Sequence, residues 1–197
     1  VQVTLTGTNG IITAPTVPTG GTRTGSGTTT VTLTGTVSAI NVAMDGLSFL
    51  PTGNFNGPAG LQIVTNDQGN TGTGGAKNDI DSVTITVNSV NDPPSFTKGL
   101  DQTVNEDAGA QSVTNWATAI SPGPNESGQT VTFLIQGNTN PGLFAAGPAI
   151  SSTGTLTYTP APNANGSATI TIALQDSGGT ANGGQNMAKA KDLEEQV

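Results

Sequence analysis

Acidic and asparagine side chains are the residues of this chain with the clearest capacity for chemistry. The 197 residues include 13 Asp and Glu against 5 Lys and Arg, so the formal net charge is −8. Ca²⁺ is held in proteins by oxygen ligands, mainly carboxylates and carbonyls. Carboxylates that lie close together repel one another unless a cation separates them. The composition therefore points to a cationic partner such as Ca²⁺. The candidate ligands are chosen by their positions in or beside predicted strands, and they are Asp67, Asp79, Asp81, Asn91, Asp92, Glu106 and Asp107.

Other kinds of chemistry are excluded by composition. The chain has no Cys and no His, which excludes Cys/His zinc sites, thiol catalysis and histidine acid–base catalysis. Five basic residues are too few for the Lys and Arg cluster that phosphate contacts require, so nucleic acid is not expected as a partner. No run of 18 or more apolar residues occurs, so we expect no membrane-spanning helix. We also expect no enzyme activity, because small, aromatic-poor sandwich domains rarely form a substrate cleft.

Alternation of apolar and polar residues with a period of two predicts strands along most of the chain. Thr and Val dominate these runs, and both fit a pleated surface. Clusters of Gly, Asn and Pro separate the runs. The pattern predicts an all-β protein built from antiparallel β-sandwiches, with strands at Val3–Thr6, Thr30–Thr34, Val83–Val87, Val131–Leu134 and Thr169–Ile172.

An internal repeat appears when the chain is compared with itself. At a displacement of 109 residues, positions 47–75 align with 156–184 without a gap, and 12 of 29 positions are identical. Asn54, Asn56 and Gly57 align with Asn163, Asn165 and Gly166, and these are interpreted as turn residues. Two copies of one sandwich module are therefore expected, each of about 100 residues.

The two copies are predicted to be cut out of phase. A Pro-rich joint after Ser89 separates residues 1–92 from residues 93–186. The first repeat is expected to lack its first strand, because Val1 aligns near Ala110. The second is expected to lack its last strand, because residues 190–196 are charged and show no strand pattern. Residues 187–197 are predicted to be a charged tail, either disordered or foreign to the module.

The joint carries a family resemblance. The run Val90-Asn91-Asp92-Pro93-Pro94, followed by Val104-Asn105-Glu106-Asp107, resembles the linker and first strand of bacterial cadherin-like, Ig-like tandem repeats in large surface adhesins. The resemblance covers roughly residues 1–184. It implies a calcium-stiffened array of sandwiches that is secreted or exposed at a cell surface and serves adhesion.

The resemblance also implies where the ligands would meet, at the interface between modules. Asp67 follows one predicted strand, Asp79 and Asp81 precede the next, and the acidic pair Glu106 and Asp107 lies in the first strand of the following module. Ser89 stands where the animal cadherin linker has its first Asp, and Pro93 follows Asp92. The joint is thus poorer in ligands than the animal linker, and one or two Ca²⁺ ions are expected.

Alternatives remain open at this point. The same Asp and Asn side chains could be solvated turn residues that bond their own backbone. Instead of a structural repeat, the chain could be a binding module for a surface glycan or receptor, with an exposed strip made from Trp116, Phe144 and Tyr158. It could also be a fibre subunit completed by a strand from a neighbour. Neighbouring repeats of the same array are expected partners.

Overall fold

The computed structural model describes residues 1–70 and 73–197 of the chain. They divide into two compact units, Val1–Ser89 (unit one) and Val90–Val197 (unit two). Both units consist mainly of antiparallel strands, and the all-β class predicted from the sequence is confirmed.

Unit one is built around one five-stranded sheet. Its order is β3-β4-β1-β6-β7, and β2 pairs with β5 in a second, two-stranded sheet. All these pairs are antiparallel. The elements are β1 (Gln2–Thr8), β2 (Gly10–Thr13), β3 (Thr22–Thr24), β4 (Thr30–Thr34), α1 (Val37–Met44), β5 (Ser48–Pro51), β6 (Gly57–Asn66) and β7 (Asn78–Val87).

The buried core residues of unit one come from the first half of this unit. Alternating residues of β1 and β4 are buried, and α1 adds Ile40 and Ala43 to the same cluster. Leu61 and Ile63 of β6 pack against this cluster but are only half-buried. The β6–β7 end of the sheet is therefore covered less completely than the β1–β4 end.

Helix α1 was not expected from the sequence. It begins after Thr36, whose side chain accepts a hydrogen bond from the backbone N–H of Ala39 at 3.2 Å. This is the capping contact that Thr commonly makes at a helix start. The eight residues of α1 make only about two turns, and only two of them are buried. Two apolar positions are too few to show a helical periodicity in the sequence.

Unit two has the two facing sheets of a sandwich. One sheet has the order β10-β14-β13, the other β12-β15-β16-β9, and β11 pairs with β8. Short 3-10 helices span Pro141–Leu143 and Ala181–Gly183. The strands are β8 (Ser95–Thr97), β9 (Gln102–Thr103), β10 (Gln111–Val113), β11 (Thr118–Ser121), β12 (Val131–Asn138), β13 (Phe144–Ile150), β14 (Leu156–Pro160), β15 (Ser167–Asp176) and β16 (Lys191–Gln196).

The core of unit two contains residues from most of its length, from Phe96 to Leu193. Strand β15 contributes the fully buried Ile170, Ile172 and Leu174. Phe96 and Phe133 meet edge to face, with ring centroids 5.0 Å apart. Trp116 is 3% exposed and donates its indole N–H to the carbonyl of Leu100 at 2.9 Å. Trp116 is therefore a core residue of unit two.

The prediction that residues 190–196 form no strand is wrong. β16 pairs antiparallel with β15 and parallel with β9. Leu193 and Glu195 point inward and are fully buried. Lys191 packs over the ring of Phe96, with its ammonium 4.4 Å from the ring centroid, and also donates to the Phe96 carbonyl. The strand pattern was hidden because one of its two inward positions is an acid, Glu195.

The first strand of unit one corresponds to a later part of unit two than the ungapped alignment suggests. The ungapped alignment places Val1 beside Ala110, just before β10. In the structure β1 pairs antiparallel with β6, as β12 pairs with β15. Gln2 lies opposite Asn66, and Thr132 lies opposite Gln175, which is the counterpart of Asn66. By position in the sheet, β1 therefore corresponds to β12.

Candidate functional site

The predicted calcium ligands divide between the two units. Unit one contains Asp67, Asp79 and Asp81, and unit two contains Asn91, Asp92, Glu106 and Asp107. Each group is described within its own unit.

Asp67 closes the turn that follows β6. Its Oδ1 accepts hydrogen bonds from the backbone N–H of Lys77 at 2.8 Å and of Gly69 at 2.9 Å. These two bonds lower the pKa of the Asp67 carboxyl, because they favour its charged form. The side chain therefore acts as a turn former and remains ionised at neutral pH.

Asp79 and Asp81 lie within β7, whereas the sequence placed them before it. They are opposite Thr65 and Ile63 of β6, two residues apart along the strand, so they share one face of the sheet. Both side chains are exposed. Thr, Asn and Gly surround this part of the sequence, which concealed how early the strand begins.

Glu106 and Asp107 are not in a strand, contrary to the prediction. They form a turn between β9 and β10, and Asp107 has a positive φ of 62°. The Oδ1 of Asp107 accepts a hydrogen bond from the backbone N–H of Asn163 at 2.8 Å. Both side chains are exposed. Asp107 thus ties this turn to the Asn163 turn, which also has a positive φ, of 55°.

Asn91 makes three side-chain hydrogen bonds, more than any other predicted ligand shows in the described residues. It is 8% exposed, and its Nδ2 donates to Asp176 Oδ1 at 2.9 Å and to the Gln185 carbonyl at 2.8 Å. Its Oδ1 accepts from Gln129 Nε2 at 2.7 Å. Asn91 therefore fixes the first residues of unit two to the loop after β15. Its side-chain oxygen is already used by Gln129.

Two glycines make room for Asn91. A Cβ at Gly178 would lie 1.7 Å from Asn91 Oδ1, and a Cβ at Gly184 would lie 2.8 Å from the Asn91 backbone nitrogen. Both distances are shorter than any side chain tolerates. Gly184 aligns with Gly75 at the end of the internal repeat, and its role here is close packing.

Two carboxylates beside the joint each have one unused oxygen. The backbone N–H of Asp92 donates to Glu126 Oε1 at 3.1 Å, and Asp176 Oδ1 accepts from Asn91 and from the Gly178 N–H at 2.8 Å. Glu126 Oε2 and Asp176 Oδ2 are buried, and neither has a hydrogen-bond partner among the residues described. We call Asn91, Asp92, Glu126 and Asp176 the joint cluster.

Sequence reasoning missed part of this cluster. Asp176 aligns with Asp67 at the displacement of 109 residues, but it was not among the predicted ligands. Glu126 follows a Pro-Gly-Pro-Asn loop, far from the joint in sequence, and only the folded chain brings it to Asp92. The signal available was the repeat itself, because Asp67 and Asp176 begin equivalent turns that end in Gly69 and Gly178.

The fit of the joint cluster to a metal ion is partial. Across residues 1–70 and 73–197, no three His, Cys, Asp or Glu side chains come close enough together to hold a metal ion by themselves. The cluster instead provides two carboxylates with buried, unpaired oxygens. Ca²⁺ needs further oxygens from carbonyls or water, which it commonly takes.

The aromatic residues do not form an exposed strip. Trp116, Phe144 and Tyr158 are at most 9% exposed. Phe144 and Tyr158 contact each other edge to face, with centroids 6.1 Å apart. A flat sugar-stacking surface built from these three rings is therefore contradicted by their burial.

In the described part of the chain, the one α-helix is too short to cross a membrane.

Comparison with known proteins agrees with this architecture. Residues 91–187 match the family described as bacterial Ig domain. Human protocadherin-24 EC1-2 is similar in structure, with a TM-score of 0.52 at 15% identity over 98% of this chain and 81% of that one. Mouse protocadherin-24 EC1-3 gives a TM-score of 0.47 at 16% identity, over 98% of this chain and 58% of that one.

A comparison with curated protein sequences gives no match. At 15% identity the human protocadherin-24 structure shows the fold alone, namely tandem β-sandwich repeats. The predicted resemblance to bacterial Ig-like, cadherin-like modules is confirmed by the match of residues 91–187 to the family described as bacterial Ig domain.

Proposed function

We propose that this chain is a structural repeat segment of an extracellular bacterial surface protein, an adhesin or fibre, stiffened by calcium at the joint between its repeats. The repeat architecture and the family match support the structural role. Bacterial Ig domains usually occur in secreted or surface proteins, and such repeats are typically non-catalytic. Both properties agree with a chain that serves as a spacer or stalk in adhesion.

The buried, unpaired oxygens of Asp176 and Glu126 are the observation that carries the calcium part of the proposal. Burying a carboxylate oxygen without a donor is costly, and a bound cation removes that cost. Asp176 is only 5% exposed. Both carboxylates are bonded to consecutive residues of the joint, Asn91 and Asp92. A cation there would hold the first residues of unit two in place from two sides.

The proposal refines the predicted ligand set. Asp176 and Glu126 are proposed as the carboxylates nearest to the ion, and Asp92 stays a predicted ligand. Asn91 is proposed as the anchor that orients Asp176. Asp67, Asp79 and Asp81 of unit one stay predicted ligands, and so do Glu106 and Asp107. One or two ions remain the expected number.

Thermal unfolding of the full chain in millimolar CaCl₂ and in excess EDTA, at constant ionic strength, tests this proposal. Ligand binding to the native state alone stabilises it by about 2.7 kcal/mol when the ligand is at 100 times its Kd. We expect Ca²⁺ to raise the melting temperature of unit two by several degrees. The Asp176→Asn and Glu126→Gln variants should lose that increase.

Both substitutions preserve shape and keep an oxygen that can accept the existing backbone hydrogen bonds. Asp45→Asn is the matched control, because Asp45 is an exposed acid at the end of α1. It should respond to Ca²⁺ as the parent chain does. An equal Ca²⁺ response in all variants would reject the joint cluster as the site.

A further inference from the structure

The outer face of the unit one sheet carries a shallow depression where β1, β6 and β7 pair. Leu5 is buried and lies opposite Ile63, so the residues one position further along both strands point to the other face of the sheet. The depression has a volume of about 330 Å³. Six of the residues that line it face outward, none of them is charged, and together we call them the Gly60 depression: Thr6, Thr8, Gly60, Gln62, Ser82 and Thr84.

Gly60 forms the floor of this depression because it has no side chain. It lies inside β6 and pairs with Thr8 on one side and Thr84 on the other, and its φ is not positive. A Cβ at this position would lie 3.1 Å from Thr8 Oγ1, so a slight shift of that hydroxyl would accommodate a side chain. Neither the backbone nor the packing therefore requires glycine here, although glycine weakens a strand. Glycine inside a strand often marks the close approach of a ligand.

The equivalent surface of unit two is filled and charged. Thr169, the counterpart of Gly60 in the internal repeat, lies opposite Glu194. Thr171, two residues further along β15, lies opposite Asp192 and donates a hydrogen bond to its carboxylate at 2.8 Å. The repeat thus accepts a β-branched side chain at the floor position and acids beside it. The uncharged depression is therefore a property of the unit one sequence and not a requirement of the fold.

The chemistry of the Gly60 depression suits a neutral, hydroxylated ligand. The Thr and Ser hydroxyls and the Gln62 amide can each donate and accept hydrogen bonds, as the hydroxyls of a sugar do. The described residues that line the depression include no carboxylate to hold a cation and no Lys or Arg to hold an anion. The Thr methyl groups and the bare backbone of Gly60 permit contact with the C–H face of a ring. The volume lies at the lower end of the range for small-molecule sites, which is about 300–1,000 Å³.

We propose that the Gly60 depression binds one hexose ring of a neutral glycan. The ring would lie over Gly60, and its hydroxyls would form hydrogen bonds with Gln62 and the surrounding Thr and Ser side chains. Because the depression is shallow, we expect weak binding, with a Kd on the order of 1 mM. This inference goes beyond the proposed spacer function and does not depend on calcium.

The test is a titration of the isotopically labelled full chain, followed by NMR chemical shifts of the backbone amides. The probes are the methyl glycosides of glucose, galactose, mannose and N-acetylglucosamine, each added to about 50 mM, well above the expected Kd. We expect at least one of them to shift the amides of Gly60, Gln62 and Thr84 in a saturable manner, with the same Kd in excess EDTA. Absence of such shifts with every probe would overturn the proposal.

A matched pair of glycine variants makes the test specific. Gly60→Thr gives the floor the side chain that unit two has at Thr169, and it should weaken binding at least tenfold. The variant should still fold, because Thr fits a pleated surface. Gly53→Thr is the control, because nothing lies within 4 Å of a Cβ at that position, and its Kd should equal that of the parent chain. Binding that survives Gly60→Thr would place the sugar elsewhere and overturn the proposal.

A second pair of variants tests the hydrogen bonds separately from the shape. Gln62→Ala leaves the depression open but removes its amide, so binding should weaken roughly three- to tenfold. Thr32→Ala is the control on the same face of the sheet, in β4 and outside the depression, and it should leave the Kd unchanged. An equal Kd for the two variants would overturn the proposal. Tighter binding of the methyl glycoside of glucuronic acid than of every neutral probe would also overturn it, because the site would then select a charge.

Discussion

The Nδ2 of Asn91 lies 2.9 Å from Asp176 Oδ1, across 85 residues of sequence. The first residues of unit two are thereby fastened to the end of its longest strand, β15. Because Asn91 is bonded to a strand and not to a loose loop, a pull on the residues of the joint would act on the sheet that contains β15. This bond connects the fold of the repeat with its proposed role as a stiff spacer.

Replacing Asn91 by Ala should destabilise unit two by about 2–4 kcal/mol. The change leaves Asp176, Gln129 and the Gln185 carbonyl without their partner, and each buried group left unsatisfied costs about 1–3 kcal/mol. Urea unfolding followed by circular dichroism measures the loss. Asn41→Ala, at an exposed position of α1, is the control and should change stability by less than about 0.5 kcal/mol.

Gly178→Ala should destabilise unit two by about 1–3 kcal/mol or more, since a Cβ there would overlap Asn91 Oδ1 at 1.7 Å. The same substitution at Gly147 is the control, because nothing lies within 4 Å of a Cβ at that position. The midpoint of urea unfolding reports the difference. Equal midpoints for the two variants would mean that the Asn91 pocket is loosely packed.

Leu193→Ala should cost about 2–5 kcal/mol, as for other fully buried leucines. Val83→Ala in β7 of unit one should cost about 1 kcal/mol or less, because Val83 is 47% exposed. Equilibrium unfolding of both variants provides the comparison. If Leu193→Ala had no effect, residues 187–197 would be a tail without a structural role, as the sequence suggested.

The stability of unit two should depend on pH through Glu195. Burial is the main cause that raises the pKa of its carboxyl from 4.5 to about 7, with a smaller increase from the charge of Asp101. The nearby Tyr158 hydroxyl acts in the opposite direction. Burial likewise raises the pKa of Tyr158, so that hydroxyl remains protonated throughout this range.

The direction in which the free energy of unfolding changes with pH follows from proton linkage. Below pH 4.5 the carboxyl is protonated in both states, and the native state keeps its full stability. Between pH 4.5 and 7 the unfolded chain releases this proton while the native chain retains it. The free energy of unfolding should therefore fall with rising pH, by at most about 1.4 kcal/mol per pH unit.

Glu195→Gln should remove this component, because the amide does not titrate. Urea unfolding of the parent chain and the variant across the same pH range measures the difference between them. Parallel curves for the two proteins would show that Glu195 ionises freely in the native state.

The strands could be predicted from the sequence wherever inward positions are apolar. Val3 and Leu5 of β1, and Ile170 and Ile172 of β15, alternate with Thr and are buried as expected. β16 could not be predicted in the same way, because Glu195 takes an inward position. Burial of that acid depends on tertiary packing that a period-two pattern does not contain.

The candidate site was predictable only in part, for a related reason. Asn91 and Asp92 stand out in the joint motif, and the repeat draws attention to Asp176. Glu126 and Gln129 come from a loop whose approach to the joint is set by the pairing of β12 with β15. No spacing in the sequence encodes that contact.

Direct calcium titration tests the central claim most simply. Isothermal titration calorimetry of the EDTA-treated full chain should give a saturable transition of one or two Ca²⁺ ions per chain. The double variant Asp176→Asn, Glu126→Gln should lose the binding of at least one of these ions. The Asp45→Asn variant should bind the same number of ions as the parent chain. A flat titration of the parent chain at millimolar Ca²⁺ would contradict the account and leave a sandwich spacer that holds its joint through Asn91 alone.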